Sequence, residues 1–74
     1  MTAVEVWEAN EQTLDVFLAL QTQWRVGMAG PTGLDYNAIP LVMRAYRISR
    51  ADWPEIFDGI RLMERAALEE MHKD

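Results

Sequence analysis

The stretch Leu18-Ala-Leu-Gln-Thr-Gln-Trp-Arg-Val-Gly-Met-Ala-Gly-Pro-Thr-Gly-Leu-Asp-Tyr36 decides how this chain folds. Its first half continues an apolar pattern with helical spacing. Its second half carries Gly27, Gly30, Pro31 and Gly33, more backbone punctuation than a short helix connection needs. On the N-terminal side, Val16, Leu20 and Trp24, flanked by Leu14, Phe17 and Leu18, sweep an apolar arc of roughly 200°. The arc predicts a helix over residues 11–25 that touches two neighbours, with Asn10 as its N-cap and Glu11 and Asp15 near the positive end of its dipole. Gly27 reads as the left-handed residue that closes this helix, and Gly30 to Gly33 as a corner steering the chain toward Asp35. Gln21 and Arg25 fall inside the arc one turn apart, so each needs a polar partner or a place at its edge.

Beyond the corner, Asp35 offers an N-cap for a second helix over residues 36–47. Pro40 implies an irregular start, with regular helix from Ala38, because its ring tolerates only the first helical turn. Ile39, Val42, Met43 and Tyr46 form the apolar side, and Arg44 and Arg47 face solvent. Trp53-Pro54 behind Asp52, with Glu55 completing an Asp-x-x-Glu capping pattern, starts a third helix over residues 53–71. Trp53, Ile56, Phe57, Ile60, Met63, Ala67, Leu68 and Met71 make its buried stripe, and Gly59, Leu62 and Ala66 a small apolar strip on the opposite side. Alternation of apolar and polar residues is never sustained, so no strand is expected. The predicted fold is all-α: one three-helix domain over residues 1–74, with residues 1–9 a partly ordered arm containing Trp7.

Seventy-four residues leave room for one core, and a chain this short buries only about 60% of the surface its unfolded form exposes. Without cysteine it has no disulfide and no thiolate metal site. The N-terminal segment is acidic rather than basic and no apolar run approaches about 20 residues, so a soluble chain without a membrane span is expected. Net charge is -5 and uneven: Arg25, Arg44, Arg47 and Arg50 lie in the middle, while Glu5, Glu8, Glu11 and Asp15 precede any base. That arrangement suits antiparallel packing or complementary self-association and argues against adhesion to phosphate backbones.

Candidate chemistry is sparse. The chain has one serine, Ser49, and one histidine, His72, so no activated nucleophile is expected and Ser49 reads as a turn cap. Glu69-x-x-His72 has the spacing used in carboxylate-bridged metal sites, but those need a second such motif facing inward. The glycine-rich segment lacks the lysine and preceding strand of a phosphate loop. Arg44, Arg47 and Arg50 precede the last helix rather than line it, which argues against a recognition helix. No enzyme activity, cofactor or metal is expected. Glu64 interrupts the third helix's apolar arc as Arg25 interrupts the first, so either the two form a partly buried pair or each leans out to water.

The run Leu18-Ala-Leu-Gln-Thr-Gln-Trp-Arg-Val-Gly-Met28, followed by Gly33-Leu-Asp-Tyr36 and Trp53-Pro-Glu-Ile-Phe57, resembles a family of small phage and prophage proteins. The likeness covers about residues 7–70, around a core of Gln21, Gln23, Trp24 and Arg25. Members of that family are encoded in tail gene clusters near the tape-measure and tail assembly chaperone genes and have no established function. The resemblance implies a non-enzymatic role in tail morphogenesis in the host bacterial cytoplasm. The implied partners are tape-measure protein, tail-tube protein or a companion chaperone. Two alternatives are a structural component of the virion tail and a small helical DNA-binding regulator. Three Trp, five Met and two Tyr exceed what one small core can bury. Trp7, Met28 and Tyr36, with Leu62 and Ala66, are the candidate partner-facing residues, although Trp7 and Met28 would equally cover the ends of a bundle. Gln21, Trp24, Arg25, Gly27, Gly33, Asp35 and Glu64 form the structural signature.

Overall fold

The computed structural model describes residues 11–73; Trp7, the Asn10 cap and the arm expected over residues 1–9 lie outside them. In chain order the elements are α1 (Glu11–Ala19), β1 (Trp24–Gly27), β2 (Gly30–Leu34), a 3-10 turn (Tyr36–Ala38), α2 (Ile39–Ala45), a second 3-10 turn (Arg50–Asp52) and α3 (Trp53–Met71). The two strands pair antiparallel, so the fold is α+β and the all-α expectation is overturned.

The correction falls on residues 20–34. Helix α1 stops six residues before its predicted end because the apolar arc is interrupted by local hydrogen bonding. The Gln21 side chain turns back and donates from Nε2 to the Phe17 carbonyl at 2.9 Å, satisfying one of the acceptors a helix C-terminus leaves open. The Gln21 Oε1 then accepts from the Trp24 indole at 3.2 Å. From Trp24 onward, aromatic and β-branched residues favour a pleated surface. Gly27 is the last residue of β1, not a left-handed helix end. Positive φ is instead taken by Gly30, at 110°, directly after the Met28-Ala29 turn. Trp24 pairs with Leu34, Arg25 with Gly33, Val26 with Pro31 and Gly27 with Gly30, so Thr32 is the extra residue of a bulge in β2. The Thr32 hydroxyl donates to the Arg25 carbonyl at 3.3 Å and holds the bulge against β1.

One apolar cluster organises the rest. Val16 and Leu20 come from α1 and its exit, Leu34 from β2, Ile39 and Met43 from α2, Ile48 from the following loop, and Ile56 and Ile60 from α3. Burying an aliphatic side chain of this size contributes about 1.5–3 kcal/mol, so these eight dominate stability. Thr13 is 2% exposed and faces Gly59: a Cβ at Gly59 would lie 2.7 Å from the Thr13 Cγ2. Gly59 is thus the contact point between α1 and α3, not part of a free apolar strip.

The Asp35 carboxylate accepts from the Asn37 amide at 3.0 Å and starts the turn that leads into α2, with Pro40 in the first turn where its missing N–H costs nothing. Regular helix is shorter than expected. It ends at Ala45, where Arg47 adopts φ 56° and the amides of Arg47 and Ile48 return to the carbonyls of Arg44 and Met43. This is a Schellman closure with arginine at the position that favours glycine. α3 begins at Trp53 as predicted, but Asp52 makes no side-chain cap; Ser49 instead caps the preceding turn through the Ala51 amide. The Trp53 indole donates to the Ile48 carbonyl at 3.0 Å, and the Arg50 guanidinium stacks 4.8 Å above its ring.

Candidate functional site

The hairpin is moored along the outer edge of β2 by side chains of α3. Glu64 sits half-buried on α3 at the point where Gly33 and Leu34 pass. Its Oε2 accepts from the Leu34 amide at 2.7 Å and its Oε1 from the Tyr36 hydroxyl at 2.6 Å. Gly33 permits the approach, since a Cβ there would stand 3.0 Å from Glu64 Oε2. Two turns further along, the His72 ring donates from Nε2 to the Pro31 carbonyl at 2.7 Å. Of the two arrangements open to Arg25 and Glu64, the pair does not form. Glu64 takes neutral donors from the hairpin and its exit, and Arg25 is exposed with no ion pair among the described residues, where Lys73–Glu70 is the single salt bridge.

Tyr36 links this mooring to the core. Its ring meets Phe57 edge-on at 5.3 Å, and its hydroxyl is held at Glu64. Partial burial, then the hydrogen bond to Glu64 and that group's negative charge, push the phenol above its ordinary pKa, so it remains a protonated donor. Tyr36 also separates two depressions. On one side is a polar cleft of about 340 Å³ bordered by Arg25, Thr32, Gly33, Asp35, Asn37 and Glu64. On the other is an apolar groove of about 240 Å³ among Ile39, Met43, Trp53 and Phe57.

The candidate partner-facing residues are scattered. Met28 is fully exposed at the hairpin tip and Tyr36 is 40% exposed while engaged with Glu64. Leu62 is half-buried beside Asp58, Arg61 and Arg65, and Ala66 is exposed. Of the signature residues, Gln21 and Trp24 are joined by their hydrogen bond, Gly33 and Glu64 by close approach, and Asp35 caps the next turn. In the sequence Val26 and Thr32 carried no assigned role, Pro31 only a place in the corner after Gly30, and His72 only the Glu69-x-x-His72 spacing. Among these only Pro31 carried a signal, since proline in a strand belongs at an edge. Among the described residues no group of three or more His, Cys, Asp or Glu is placed to hold a metal, and no helix is long and apolar enough to cross a membrane.

These features define a small α+β domain: a helical core with one hairpin, held at its base by a carboxylate and left bare at its tip. The chain belongs to the family described as "Phage related hypothetical protein (DUF1799)", which matches residues 1–71. Comparison with curated proteins and with solved structures gives no match.

Proposed function

We propose that this phage-related protein is a non-enzymatic adaptor or chaperone of tail assembly that binds tape-measure or tail-tube protein in the host cytoplasm. The observation that carries the reading is the hairpin tip. Val26 is 72% exposed and Met28 fully exposed, at the end of a hairpin whose second strand is held by Glu64 at Leu34 and by His72 at Pro31. Apolar anchors on a preorganised frame lose little conformational freedom on binding, which is what a small adaptor needs. Methionine suits a surface that must accept an unassembled partner, because its side chain adapts to irregular contacts. The phage-related family and the resemblance to tail-cluster proteins support the same assignment. Wild-type protein co-expressed with the tape-measure or tail-tube protein of its phage should co-purify with it, and Val26→Ser combined with Met28→Ser should abolish this while leaving helicity intact. Undiminished co-purification of the double variant would overturn the reading.

A further inference from the structure

The two edges of the hairpin are treated differently. Along an antiparallel strand, successive residues direct their amide and carbonyl alternately toward the partner strand and away from it. The Gln23 carbonyl accepts from Asp35, and the Arg25 carbonyl accepts from the Thr32 hydroxyl, so Gln23, Arg25 and Gly27 face β2. Trp24 and Val26 therefore direct their backbone groups outward. On β2 the outward groups are those of Leu34 and Pro31, opposite Trp24 and Val26. Two of these are held by side chains, the Leu34 amide by Glu64 and the Pro31 carbonyl by His72, and Pro31 has no amide. The β2 edge is therefore held at both of its outward positions. Among the described residues, the β1 edge has no strand beside it.

We infer that the β1 edge is a docking site for an extended segment of a partner protein, which adds as a third strand and sets an acidic side chain opposite Arg25. The inference rests on the adaptor reading and names the partner's chemistry. Open strand edges recruit extended chains through their unpaired backbone groups. Arg25 supplies the selection: it is exposed in the middle of the edge strand and, among the described residues, has no carboxylate paired to it. Opposite charges directly across a strand pair stabilise it and like charges oppose it. The same rule disfavours a second copy of this chain. Antiparallel pairing that engages both outward residues, Trp24 against Val26 of the copy, sets Arg25 directly against its own counterpart.

The test uses two arms read by amide exchange and binding. In the first, the tape-measure or tail-tube protein is added to wild type, to Val26→Pro, to Val26→Ala and to Arg25→Gln. Val26→Pro removes an outward amide that the hairpin's own ladder does not use, so the fold survives. Expected are protection of the Trp24 and Val26 amides on binding and at least tenfold weaker binding by Val26→Pro than by Val26→Ala, which loses the side chain and keeps the amide. In the second arm the probes are the capped peptides Thr-Val-Glu-Val-Thr and Thr-Val-Lys-Val-Thr. The glutamate peptide should shift the amides of residues 24–27, the lysine peptide should not, and Arg25→Gln should level the two. Equal tail-protein binding by Val26→Pro and Val26→Ala overturns the edge inference and spares the adaptor reading. No tail-protein binding, with the glutamate peptide still selected at residues 24–27, overturns the adaptor reading and supports the edge. A glutamate peptide without effect on those amides overturns the edge inference.

Discussion

The Glu64 carboxylate and the Leu34 amide meet at 2.7 Å across thirty residues of chain. This contact fixes the angle between hairpin and helix, because the same carboxylate holds the Tyr36 hydroxyl. Removing the acceptor strands a part-buried amide, which costs more than a typical hydrogen bond gains. Glu64→Ala should lower unfolding free energy by about 2 kcal/mol, and Glu64→Gln by about 1 kcal/mol because an amide oxygen still accepts from Leu34. Urea denaturation of both variants checks the order; equal losses would contradict it.

Tyr36 gives the fold a dependence on alkaline pH. Its folded pKa is raised, so the protonated phenol is favoured in the native state. The associated stability is fully present below the phenol's ordinary value of about 10 and is lost as pH rises through the higher folded value. Melting temperature followed upward from pH 9 should fall more steeply for wild type than for Tyr36→Phe.

Gly59 and Thr13 set the spacing of α1 and α3. A methyl group at Gly59 gains helix propensity of about 1 kcal/mol but collides with the Thr13 Cγ2 at 2.7 Å. Overpacking of this kind costs about 1–3 kcal/mol, so Gly59→Ala should destabilise. In a Thr13→Ser background, which removes the colliding methyl, Gly59→Ala should become neutral or stabilising. A double-mutant cycle by thermal denaturation measures the coupling.

Arg47 occupies left-handed backbone at φ 56°. Its side chain is exposed, so little packing is forfeited when it is removed. Arg47→Gly should stabilise by about 0.5–1 kcal/mol, the relief of side-chain strain less glycine's greater entropy in the unfolded chain. Chemical denaturation at low ionic strength is the suitable measurement.

Helix starts were legible because their signals are local. Asp35, Pro40 and the Trp53-Pro54 pair each restrict the backbone where they stand, and the structure uses each there. The hairpin was hidden because its strands have four and five residues and its turn is Met28-Ala29, neither of which favours positive φ. That conformation falls to Gly30 one position later, so no Asn-Gly or Asp-Gly pair marks the reversal. Trp24 fitted the helical arc of Val16 and Leu20 because it does reach the same core, from a strand rather than from the helix. Glu64 was visible as an interruption of an apolar face, but its chief partner is a backbone amide, and amides have no residue-type signature.

The eight-residue core takes only Leu34 from the hairpin, and seven of its members from the helices and their connections. That unequal share predicts two cooperative units of different strength. The helical unit can persist while β1 and β2 lift away together, since such an opening exposes Leu34, releases Trp24, and breaks the bonds at Glu64 and His72 but leaves Val16, Met43, Ile56 and Ile60 in contact. Hairpin amides should therefore exchange with solvent through a partial opening, at a lower free energy than the amides at the centre of α3, which wait for global unfolding.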